Sequence, residues 1–273
     1  MNTLPTIRMT NINPNRIKFY QFLNDDISLE LFESWVYKNK ELENIIQEDD
    51  YNDLLAFNFK SRETKNFIKS IVKKHFDWKE YEKWRTIELL KKIKSGKIEI
   101  VLATRKLREL YLEQEEKIKR PFLTIGLAIG YESVLDNCPI ETEYNQWNSD
   151  VLKKQLEPVE WYQNRFLEDV EQELNELLNP EIKIIDLGKI VSIKDFHDTF
   201  SERLYFPEFY GNNWDAFWDS IIGIVEMPKK LTLTNWGKFE KTFKKDSKIL
   251  KEIIKDYNNQ NTENKKITVG NTV

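Results

Sequence analysis

Cysteine and histidine are nearly missing from this chain of 273 residues: Cys138 is the only thiol, and His75 and His197 are the only imidazoles. One cysteine excludes an internal disulfide and fits a reducing compartment, so a cytoplasmic location is expected. Three soft ligands so far apart carry no zinc spacing, and no cofactor is expected. A Ser/His/Asp or Cys/His site has no supporting motif, which argues against an enzyme. Glycine and proline number 8 each, too few for a collagen-like or disordered chain. The longest mainly apolar run, Pro121 to Tyr131, is about half of the ~20 residues a membrane span needs. Met1 to Thr10 lacks the apolar stretch of a signal peptide, so no membrane association is expected. Gly126 and Gly130 bracket a GLAIG motif with no Lys-Ser/Thr after it, which reads as close helix packing or a bend rather than a phosphate loop. The net charge of -4 offers no general attraction for nucleic acid.

What is present suits a sizeable core: 40% hydrophobic residues, 13% aromatics and 8 Trp, in a chain long enough for two domains. From Ile17 to about Leu178 apolar residues recur at helical spacing, as in Leu29, Phe32, Trp35 and Val36 behind a possible N-cap at Ser28. Ile68, Ile71, Val72 and His75 continue such a face, and Gly96 is placed to stop a helix carrying Trp84, Ile87 and Leu90. The run Trp161 to Leu178 is amphipathic, and Asn179-Pro180 ends it. The pattern then changes. Ile182 to Leu187, Leu231 to Thr234 and Lys266 to Val269 read as short strands, the first of them buried, separated by helical segments. Strands alternating with helices imply parallel pairing. A mostly α N-terminal region, residues 1–179, is therefore expected before a C-terminal α/β domain, residues 181–273. Ser192 and Asn235 are placed to cap helices in the second part.

Charge is unevenly spread in that second part. Residues 181–273 hold 15 Lys+Arg and 14 Asp+Glu, yet the stretch from Asp195 to Pro228 has seven acids and one base, Arg203. From Lys229 onward there are 11 Lys against 5 acids. A polarised surface of this kind steers a basic partner. On a helix starting near Trp214, the side chains of Trp214, Phe217, Trp218, Ile221, Ile224 and Val225 fall on one side. Asp215 and Asp219 lie beyond its edge, four residues apart, where two like charges cost a few tenths of a kcal/mol. Asp215 complements the helix dipole; Asp219, in the second turn, has a weaker structural reason. No neighbour is arranged to move a proton to or from them, so binding a cluster of Arg, Lys or protonated His suits them better than acid–base chemistry.

The segment Pro207-Glu208-Phe209-Tyr210-Gly211-Asn212-Asn213-Trp214-Asp215-Ala216-Phe217-Trp218-Asp219 resembles the signature of barstar-type ribonuclease inhibitors. The order around it is similar too, from Ser192-Ile-Lys-Asp-Phe-His197 through Gly223-Ile224-Val225-Glu226 and Pro228 to Trp236 and a closing helix and strand. The resemblance covers about residues 181–270. It implies a three-stranded parallel sheet flanked by helices, acting as a stoichiometric inhibitor that plugs the active site of a ribonuclease toxin and protects the producing cell. It places Asp219 in the toxin's phosphate-binding site and Asp215 opposite another arginine. Asn213, Trp218, Gly223 and Ile224 fall on the rest of the contact helix, Phe209 and Tyr210 on the loop before it, and Asp256 on the last helix. Phe209 stands where the best-known member has tyrosine, and Ile224 replaces an aromatic.

Residues 1–179 carry no comparable motif. Trp78, Tyr81, Trp84, Trp147 and Trp161 are expected mostly in the core, with a second recognition surface as the alternative. Two main functional readings follow, ahead of a third, an enzyme acting through acids of the helical region. One is an immunity protein whose C-terminal domain blocks a ribonuclease-type toxin. The other is an interaction protein whose helical region binds the main partner, with the C-terminal domain as an accessory scaffold. Oligomeric state is not legible.

Overall fold

The computed structural model describes residues 12–118, 120–261 and 265–270; the Met1 to Thr10 stretch lies outside them. The chain divides into two compact units, Met1–Val170 and Glu171–Val273. No helix among the described residues is long and apolar enough to cross a membrane.

The first unit is helical: α1 (Pro14–Leu23), α2 (Leu29–Lys38), α3 (Glu48–Ala56), α4 (Thr64–His75), α5 (Trp78–Lys94), α6 (Ile100–Lys117), the short α7 (Tyr131–Leu135) and α8 (Ser149–Leu178), whose end enters the second unit. Ser28 caps α2 by accepting from the Leu31 N–H at 3.3 Å, and Gly96 follows α5 at φ +70°, a conformation glycine adopts without strain. Phe19 packs edge-on against Phe32, Trp35 and Phe76 in an aromatic core. Between α5 and α6 the fully buried Glu82 is held by Arg85 at 3.1 Å, as a buried carboxylate requires. Trp84 and Tyr81 are buried as expected, and burial pushes the Tyr81 phenol up to about 12. Trp161 instead stands 70% exposed.

Two local expectations change here. The GLAIG segment forms a π turn leading into α7, and a Cβ at Gly126 or Gly130 would meet nothing within 4 Å. The bend is real, but close packing does not explain the glycines. The α8 helix begins twelve residues before Trp161, at Ser149, and runs through Pro158, so that proline does not interrupt it as its missing N–H would suggest.

The second unit is an α/β layer. Its strands β1 (Ile182–Asp186), β2 (Lys230–Thr234) and β3 (Lys266–Val269) pair in parallel in the order β1-β2-β3. The first crossover carries α9 (Ile193–Leu204) and α10 (Trp214–Asp219); the second carries α11 (Trp236–Thr242) and α12 (Lys244–Gln260). Ile185, Leu231, Leu233 and Ile267 meet Phe196, Phe200, Phe217, Phe239, Leu250 and Tyr257 in one core. The expectation of a fully buried first strand is corrected. Ile182 and Ile184 point to the opposite face and are exposed, because period-2 alternation sends only alternate side chains toward the helices.

Ser192 caps α9, accepting from the Asp195 N–H at 3.0 Å. Asn235 does not cap α11. It adopts φ +55°, and its side chain donates to Asp186 Oδ1 at 2.6 Å. Gly188 lies beneath it, where any Cβ would come within 2.9 Å of the Asn235 Cβ. At the other side of β1, Arg203 pairs with Glu173 at 3.0 Å and Glu176 at 3.2 Å, and Gln172 donates to the Ile184 carbonyl at 2.7 Å. The last turns of α8 thus satisfy charges and an edge carbonyl of the α/β layer.

Candidate functional site: an acidic helix face

The α10 helix begins where the sequence places it. Asn213 is its N-cap, its side-chain oxygen accepting from the Ala216 N–H at 2.8 Å while its amide donates to the Gly211 carbonyl at 3.2 Å. Asn213 therefore sets the entry of the helix, beyond any contact it offers outward. Phe217 and Ile221 are buried, and Trp214 and Trp218 are packed against the same core. The helix ends early: from Ser220 to Ile224 the backbone forms a π turn, closed by the Val225 N–H on the Ser220 carbonyl at 3.0 Å. This turn corrects the continuous apolar stripe expected from the sequence. The wider turn takes in an extra residue, so Ile224 rotates out and is 49% exposed while Ile221 stays buried. Ile222 and Gly223 are exposed with it.

Asp215 and Asp219 both lie on the exposed side of α10. Residues four apart on a helix are neighbours, with Cβ atoms about 5–6 Å apart. Neither carboxylate makes a hydrogen bond or ion pair with a described residue. Two adjacent like charges are thus left to solvent on a helix whose opposite side is fixed in the core.

The helix is also held from below. The Trp214 indole N–H donates to Asp246 Oδ1 on α12 at 3.1 Å. In the preceding loop Phe209 is 79% exposed, whereas the hydroxyl of Tyr210 turns inward to His197 Nδ1 on α9 at 2.5 Å. Burial raises the Tyr210 phenol above its ordinary range and pushes the His197 imidazole below its own. Asp256 is exposed on α12. Sequence reasoning found the outward-facing residues but missed His197 and Asp246, which act from beneath. His197 falls within the Ser-Ile-Lys-Asp-Phe-His segment, but nothing local signals that its ring meets Tyr210 thirteen residues on.

A three-stranded parallel sheet with four helices in its crossovers, one of them bearing two exposed carboxylates that no described residue pairs, defines the class as a small α/β domain with an acidic helix face. Residues 181–270 match the family model described as Barstar (barnase inhibitor), and this segment is a barstar-family domain. A relative from Bacillus subtilis (strain 168), named "Putative ribonuclease inhibitor YrdF", is 42% identical over 60 residues, covering 22% of this chain. The match spans 65% of that relative's length.

Proposed function

We propose that the second unit binds and blocks the active site of a ribonuclease-type toxin, and that the chain is an immunity protein for the cell that makes both. The observation that carries this reading is the pair Asp215 and Asp219: adjacent, exposed and without partners among the described residues, on a helix capped by Asn213 and anchored by Trp214. Carboxylates held in that way suit a site built for phosphate, where Arg, Lys or protonated His supply the donors. Asp219 enters that phosphate site, and Asp215 meets a second cation. Phe209, Tyr210, Trp218, Gly223 and Ile224 frame them with apolar surface, and Asp256 contributes at the rim. RNA is excluded because its phosphate positions are filled. The barstar-family match and the name of the Bacillus relative support the same reading.

The test is a titration of the full chain into a barnase-type ribonuclease assay beside Asp219→Ala. Loss of RNA cleavage at a one-to-one ratio, largely undone by Asp219→Ala, is the expected result. Inhibition that is insensitive to both Asp219→Ala and Asp215→Ala would overturn the mechanism.

A further inference from the structure

His197 lies directly beneath the two segments that set the position of the acidic face. It is 2% exposed, and its ring centroid is 5.7 Å from that of Tyr210 and 5.2 Å from that of Trp214. Tyr210 closes the loop from Pro207, its N–H bonded to the Pro207 carbonyl at 2.9 Å. Trp214 opens α10. A single imidazole therefore touches both the loop and the first turn of the helix. Its Nδ1 stands 2.5 Å from the Tyr210 hydroxyl; in the neutral tautomer that carries its proton on Nε2, Nδ1 accepts from that hydroxyl, which it cannot do once protonated.

The geometry points to His197 as a positioning residue of the partner-facing surface, holding the loop and the start of α10 only in its neutral form, so that this surface loosens on mild acidification. The consequence for binding rests on the function proposed above; the clamp itself does not. On protonation Nδ1 becomes a donor, the Tyr210 hydroxyl must reverse its bond, and a charge sits among aromatic rings. The charged groups facing His197 are Asp198 on its own helix and Asp246 on α12, and both favour the protonated form. The loop contributes Tyr210, and α10 contributes the rings of Trp214 and Phe217. Burial outweighs the two carboxylates and keeps the imidazole neutral at neutral pH.

The experiment follows backbone hydrogen exchange of residues 207–217 in the free full chain at about pH 7.5 and about pH 5, with the intrinsic pH dependence of exchange divided out. It is paired with dissociation rates from a barnase-type ribonuclease at the same pH values. Wild type loses about tenfold or more of its protection in this segment on acidification. His197→Gln, whose amide oxygen still accepts from Tyr210 and does not titrate, keeps its protection at both pH values. Tyr210→Phe is poorly protected already at the higher pH. In the complex, wild type gains more in dissociation rate on acidification than His197→Gln, because the ribonuclease's own ionisations are common to both. Wild-type protection that does not change with pH overturns the clamp, as does an equal loss in His197→Gln or a well-protected Tyr210→Phe. A chain that shows the expected exchange pattern yet binds no ribonuclease at either pH retains the clamp and overturns the binding reading instead.

Discussion

Trp214 and Asp246 are joined by a hydrogen bond of 3.1 Å from the indole N–H to a carboxylate oxygen, linking the first residue of the acidic helix to the first turn of α12. Both side chains are half-buried, so the bond secures the helix without competing with whatever the exposed side meets. Asp246→Ala leaves the indole donor unsatisfied and is expected to cost about 1–3 kcal/mol. Asp246→Asn, which keeps an acceptor, costs less. Urea denaturation of the two variants beside wild type checks the order.

Asp215 and Asp219 invert that pattern, because neither has a partner among the described residues to lose. Asp219→Ala is expected to leave stability within about 0.5 kcal/mol of wild type, or to raise it slightly by relieving the repulsion. Asp215→Ala also gives up its favourable place in the first turn, worth about 0.3–1 kcal/mol. Thermal melts of both variants, set against ribonuclease inhibition, separate a binding defect from a folding one. Added salt should slow association of the wild type more than of Asp219→Ala.

Arg203 ties the last turns of α8 to the α/β layer. Its guanidinium meets Glu173 and Glu176, and both carboxylates are more than nine-tenths covered. A fragment of residues 181–273 discards them and leaves Arg203 without either carboxylate. The lost charge-assisted hydrogen bonds are worth about 1.5–3 kcal/mol each, which for a domain of this size is a melting temperature lower by about 10 °C. Calorimetry of fragments 171–273 and 181–273 measures the gap.

The β3 edge is occupied by a side chain. Asn258 donates to the Ile267 carbonyl at 2.8 Å and accepts from the Ile267 N–H at 2.9 Å, as a neighbouring strand would. Asn258→Leu removes both bonds and exposes a pairing edge. It should lower stability by about 1–3 kcal/mol and produce self-association that increases with concentration, visible by light scattering.

His197 makes stability itself depend on pH. Its folded-state pKa lies below the ordinary value of about 6.5, so the unfolded chain binds the proton more readily. Its contribution is complete above about pH 6.5 and is lost as pH falls toward the folded-state pKa. Urea midpoints should drop across that window for wild type and stay flatter for His197→Gln.

The sequence by itself determined the strands, the caps at Ser28, Ser192 and Asn213, the helical character of the first unit and the position of the paired carboxylates. Each of these is written in local signals: period 2 or 3.6, a cap residue beside an apolar run, two acids four apart. Only the tertiary structure decided what lies beneath the acidic face. The π turn turned Ile224 outward, Asn235 gave its side chain to Asp186 instead of to its own helix, and His197 and Asp246 met Tyr210 and Trp214 across 13 and 32 residues of chain. Such choices depend on which buried polar group finds a partner and which ring fills a gap. That competition is settled by packing between elements, and no window of neighbouring residues contains it.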